Sequence, residues 1–95
     1  MNLNEFKDSV VLVTGGSRGI GKSIVSRFAS LGANVIFTYS QDEKVAESML
    51  KDLNKNKLNV SAFKSDVRDR KQVCKVMKNI ETKYKKLDIL VNNAG

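Results

Sequence analysis

Residues 14–21, Thr-Gly-Gly-Ser-Arg-Gly-Ile-Gly, place Gly15, Gly19 and Gly21 at a G-x-x-x-G-x-G spacing between an apolar run and a helical pattern. The chemistry such a loop can do is anion binding. Gly15 permits a tight turn off a strand, and Gly19 lets backbone amides approach a phosphate with no Cβ in the way. Gly21 lets the following helix lie close to the sheet, and that helix's free amides and dipole favour negative charge. The spacing is a variant of the commoner dinucleotide fingerprint G-x-G-x-x-G, with the same physics. The same stretch also satisfies a Walker A count, Gly16-x-x-x-x-Gly21-Lys22-Ser23. Against that reading, the apolar stripe of the helix begins at Ile20, ahead of the lysine. No strand ends in an apolar run plus aspartate suited to holding Mg²⁺; the third candidate strand ends Lys64-Ser65-Asp66.

A second polar cluster, Asn92-Asn93-Ala94-Gly95, follows the apolar run Ile89-Leu90-Val91, and a third, Asp66-Val67, follows the run near residue 60. The asparagines can also be read simply as a turn closing their strand. Histidine is absent, and the single cysteine, Cys74, has no partner for a disulfide or for thiolate metal binding. No catalytic residue and no metal ligand is assigned from the sequence.

The elements that must position these groups alternate. Val10–Thr14 is a β-branched strand. Ile20, Ile24, Val25, Phe28 and Leu31 recur at helical spacing, with Gly32 as the glycine that ends the helix. Residues 34–39 form a second strand. Ser40 with Glu43 reads as a capping box for a helix whose apolar face carries Val45, Ala46, Met49, Leu50 and Leu53. A third strand lies within 59–66. Asp69 with Gln72 caps a third helix, striped by Val73, Val76, Met77, Ile80 and Tyr84, with Cys74 beside the stripe as a small packed or boundary residue. Residues 87–91 supply a fourth strand. This β-α-β-α-β-α-β order, with right-handed parallel crossovers, predicts an α/β doubly wound parallel sheet of order 3-2-1-4. The chain reverses direction between strands 1 and 4, so the glycine loop and the asparagine segment converge on one crevice.

Composition bounds the rest. Ninety-five residues make one domain at most, with 41% apolar and 28% charged residues, ordinary values for a soluble protein. No run approaches the ~18 apolar residues of a membrane span, and the N-terminus has no signal-peptide core, so a cytoplasmic location is expected and no membrane partner. The net charge of +7 comes mostly from lysines spread over presumed helix faces. They lack the arginines and interleaved aromatics of a nucleic-acid interface, and a solvated surface is the reading preferred.

"TGGSRGIG", "DV" at 66–67 and "NNAG" at 92–95, in that order and spacing, resemble the short-chain dehydrogenase/reductases, over essentially the whole chain. Within the family, "VLVTGGSRGIGKSI" and "KLDILVNNAG" are similar to the 3-oxoacyl-(acyl-carrier-protein) reductases of fatty-acid synthesis; reductases of sugars, steroids and small ketones share those strings. The resemblance implies a Rossmann-type fold and a nicotinamide cofactor. Gly15, Ser17, Arg18, Gly19, Ile20 and Gly21 would line its phosphates and ribose. Asp66 and Val67 would hold the adenine, and Asn93, Ala94 and Gly95 would meet the adenosine side and centre, with Asn92 supporting the sheet.

Cofactor choice turns on an acid for the ribose 2′-hydroxyl or a cation for a 2′-phosphate. Thr38, Tyr39 and Ser40 end the second strand without an acid, and for Asp42, two residues on, a capping role suffices. Arg18 stands near where a 2′-phosphate would sit, and Ser40 can add a hydroxyl. NADP(H) is the expected cofactor. Arg18 can also be read as a plain exposed loop cation.

The family's Tyr-x-x-x-Lys pair is absent, since Tyr39 precedes Glu43 and Tyr84 precedes Asp88 at that spacing. The expectation is therefore the N-terminal, cofactor-binding part of a longer, homo-oligomeric reductase, truncated after the fourth strand. That part would be inactive alone and prone to self-association, and an acyl-carrier-protein-linked substrate is possible for the parent. The alternatives are a stand-alone or degenerate nucleotide-binding module, and a P-loop protein.

Overall fold

Valine, isoleucine and phenylalanine dominate the first two strands, and both faces of each are buried, as befits a parallel sheet covered by crossover helices. The computed structural model describes residues 5–93. It runs β1 (Val10–Thr14), α1 (Gly19–Ser30), β2 (Asn34–Tyr39), α2 (Glu43–Lys55), β3 (Val60–Lys64), α3 (Arg70–Tyr84) and β4 (Ile89–Asn92). All pairings are parallel and the order is β3-β2-β1-β4, as the crossover argument requires.

Alternate strand residues face opposite layers. Val11, Val13, Val35, Phe37 and Val60 pack with Val25 and Ala29 of α1 and Ala46 and Met49 of α2. Val10, Leu12 and Ile36 pack on the other face with Val76 and Ile80 of α3. The Asp69 cap forms as expected: its carboxylate accepts from the amides of Lys71 and Gln72 and from the Gln72 side chain. Gly32, at φ 93°, follows the end of α1. No helix among the described residues is long and apolar enough to cross a membrane.

Four local expectations are corrected. The Ser40 capping box does not form. Glu43 N donates to Gln41 O, a short turn that delays the helix, and Asp42 becomes its N-cap residue. Ile20, in the first turn of α1, is 75% exposed, while its neighbour Gly21 in the same turn is buried. Val45 and Met77, counted in the apolar stripes of α2 and α3, are exposed as well, at the margins of faces whose centres are Ala46, Met49, Val76 and Ile80. Cys74 is exposed rather than packed.

Candidate functional site

The register of β1 against β4 sets Thr14 beside Asn92 at the carboxyl edge of the sheet. From there a short polar network ties the two loops together. Asn93 N donates to Thr14 Oγ1 at 3.1 Å, and Thr14 Oγ1 lies 3.3 Å from Asn92 Oδ1. Asn93 Nδ2 donates to Gly15 O at 3.0 Å. On the other side Thr38 holds the loop: its hydroxyl accepts from Gly15 N at 3.3 Å and its carbonyl from Gly16 N at 3.0 Å. The glycine loop is thus pinned from β2 and from the segment after β4.

Two glycines show why the loop needs them. A Cβ on Gly21 would overlap Gly15 O and stand 2.6 Å from Asn93 Nδ2, so only glycine lets α1 sit this close under the loop. Gly19 is the opposite case. Its φ of 51° is left-handed, and nothing lies within 4 Å of where a Cβ would be, leaving open space above the start of α1. That start has no side-chain cap and no acid in its first turn, and the first of its amides to find a helical carbonyl is Lys22 N. Open backbone and unsatisfied amides at one helix end suit a phosphate.

Gly16, the first residue of the Walker count, is a packing glycine: a Cβ there would meet Phe37 Cβ at 2.5 Å and Val25 Cγ2 at 2.9 Å. Lys22 lies inside α1, three positions past its start, rather than at the loop–helix junction. The P-loop reading gains nothing from this geometry.

A family model described as short chain dehydrogenase matches residues 9–95. The chain belongs to that family. A 3-oxoacyl-[acyl-carrier-protein] reductase FabG of Staphylococcus aureus is 37% identical over 84 residues, 88% of this chain and 34% of that protein. A chloroplastic tropinone reductase homolog of Arabidopsis thaliana is 44% identical over 85 residues, 88% of this chain and 26% of that protein. A short chain dehydrogenase of Burkholderia cenocepacia, solved in complex with NADP, superposes with a TM-score of 0.89 at 36% identity, covering 97% of this chain and 38% of that one. The chain thus spans about a third of the length of the first of these relatives.

Within this short-chain dehydrogenase fold, Gly15, Ser40, Asp66 and Val67 line one crevice of about 300 Å³, together with Thr38, Tyr39, Ser65 and Arg68. Gly19 and Ile20 line instead an open depression on α1 with Ser23, Ile24, Arg27 and Phe28. Ser17 is 6% exposed and presents little surface. Ala94 and Gly95 lie outside the described residues.

The charged groups are arranged otherwise than expected. Arg18 does not stand free: Nη2 bonds Asp42 Oδ1 at 2.7 Å and Nε lies 2.6 Å from Oδ2, a forked ion pair. Asp42 makes no capping bond with its side chain, so its carboxylate serves the arginine rather than the helix. Asp66 is likewise engaged. Arg68 Nε and Nη2 donate to its two oxygens at 3.1 and 2.8 Å, and Arg68 N donates at 2.9 Å. These bonds, the side-chain pair foremost, hold the Asp66 carboxyl down to about 2.

Arg68 is the charged crevice residue that sequence reasoning missed. The signal was present in "DVRD", an arginine two residues after the aspartate, a spacing that lets a side chain fold back. Two places suit a nicotinamide cofactor: the open glycine turn with the uncapped start of α1, and the crevice at Gly15 with its hydroxyl, carboxylate and guanidinium groups.

Proposed function

We propose that this chain is the NADP(H)-binding part of a short-chain carbonyl reductase of the 3-oxoacyl-(acyl-carrier-protein) type, working in the cytoplasm as a homo-oligomer. The observation that carries the cofactor half is Arg18. It is a cation in the glycine turn, paired across to the loop after β2, a strand whose end carries no acid at Thr38, Tyr39 or Ser40. The NADP complex of the Burkholderia relative supports the same cofactor. The FabG relatives support the acyl-carrier-protein-linked substrate; the tropinone reductase homolog favours a small-ketone substrate as the second reading.

In this reading the amides at Gly19, Ile20 and Gly21 meet the pyrophosphate, with Gly15 and Ser17 shaping the turn. Asp66 and Val67 take the adenine, Arg18 and Ser40 the 2′-phosphate, and Asn93, Ala94 and Gly95 the middle of the cofactor. The bound dinucleotide supplies the hydride; this chain binds and orients it. Residues 1–95 form the N-terminal dinucleotide-binding part of a single-domain enzyme and do not turn over carbonyls without a Tyr-x-x-x-Lys.

The test is a pair of measurements on the chain. NADPH titration should show saturable binding that Arg18→Ala weakens about ten- to a hundredfold, with NADH little affected. NADPH oxidation with an acetoacetyl thioester should stay at the buffer rate. Equal loss for both nucleotides would reduce Arg18 to a loop brace, and a protein-dependent rate that survives purification would overturn the division of labour.

A further inference from the structure

Arg18 and Asp42 are 24 residues apart in sequence, one in the turn after β1 and the other in the turn after β2. Their pair closes a strap between the two loops, and Asp42 stands two residues along the chain from Ser40, which lines the crevice. Both carboxylate oxygens of Asp42 and two nitrogens of Arg18 are committed to it. Asp42 holds the N-cap position of α2 and yet gives no side-chain bond to that helix's amides, so among the described residues that helix end does not compete with the arginine for it. The Arg18 side chain is still 72% exposed and reachable by a ligand.

We propose that Asp42 is a specificity-determining residue, an internal anion that competes with a ligand's 2′-phosphate for Arg18. This rests on the NADP(H) reading above. A phosphate monoester carrying nearly two negative charges must displace the carboxylate from the guanidinium or share the guanidinium with it at close range. In the first case the ion pair is lost, and in the second two anions repel. Either way Asp42 weakens binding of a 2′-phosphorylated nucleotide more than of one without that group. The strap lowers the discrimination that Arg18 alone would give, and it occupies the arginine when no such ligand is bound.

The opposite sign is physically possible, which makes the experiment decisive. A carboxylate can serve as a buttress that orients an arginine toward a ligand, and its removal then costs affinity. Calorimetric titration of the chain with adenosine 2′,5′-bisphosphate and with ADP separates the two. Asn is as good an N-cap as Asp, so Asp42→Asn is expected to fold, and a thermal melt verifies it. The expected result is a gain of about three- to tenfold for the bisphosphate in Asp42→Asn, with ADP changing less than about twofold. In the Arg18→Ala background the same substitution should change the bisphosphate affinity by less than about twofold, because the competition acts through the arginine.

If the wild-type chain and Asp42→Asn both bind the two nucleotides equally, the cofactor reading falls and this inference with it. A wild-type preference for the bisphosphate that Asp42→Asn leaves unchanged or reduces overturns the inference alone. So does a gain that persists in full without Arg18.

Discussion

Gly21→Ala is the substitution in which the site and the fold are tested together. The added methyl would overlap Gly15 O, lie 3.1 Å from Gly15 C and stand 2.6 Å from Asn93 Nδ2. Two of those three atoms are backbone in a loop pinned by Thr38, so they cannot swing aside as a flexible side chain would. Overpacking of this kind costs about 1–3 kcal/mol. Displacing Asn93 also forfeits its bond to Gly15 O, about 1 kcal/mol. Alanine's advantage over glycine inside a helix returns about 1 kcal/mol. The net loss is about 1–3 kcal/mol, which for a domain of this size lowers Tm on the order of 5–20 °C. Gly19→Ala is the contrast: it meets no atom, and its cost is the left-handed φ alone, about 1–2 kcal/mol. Thermal melts by circular dichroism, with NADPH titrations on each variant, make the comparison. Gly21→Ala should lose cofactor binding along with stability. A Gly21→Ala protein that melts with the wild type would refute the close approach of α1 to the loop.

Acid should unfold the chain in a window set by two carboxylates. Asp66 is lowered by Arg68, and Asp88 is lowered by the Val10 amide first and Lys86 second. A depressed folded-state pKa gives stability that is present above the ordinary carboxylate range and is lost as pH falls toward about 2, the Asp66 value. Asp66→Asn should flatten the decline of Tm between about pH 4 and 2, Asp88→Asn should flatten the decline below the ordinary carboxylate range, and an unchanged acid limb would discount these pairs. At the edge of the sheet, β4 pairs only with β1 among the described residues and shows Leu90 55% exposed. Sedimentation should therefore detect self-association at micromolar concentration that Leu90→Lys reduces, and a wild-type monomer would count against it.

The order of elements and the sheet order were legible in the sequence, because each rests on local or general physics; the crevice was expected between β1 and β4 and is lined instead from the ends of β1, β2 and β3. Apolar period distinguishes strand from helix, and parallel crossovers have one hand, so 3-2-1-4 follows from β-α-β-α-β-α-β. The Asp69–Gln72 cap was legible for the same reason, since its partners lie within three residues. Ser40 looked as good and failed, because a turn at Gln41 delayed the helix by two positions, a choice between near-equal local structures. The stripe at Ile20 failed differently: periodicity says which side of a helix is apolar but not which positions along it are covered. What only the tertiary structure decided is the pairing of individual polar groups between loops. Arg18 and Asp42 stand 24 residues apart, and Asn93 and Gly15 stand 78 apart. No pattern along the chain records such a meeting, because a side chain's partner depends on where two loops come to rest after the sheet has assembled.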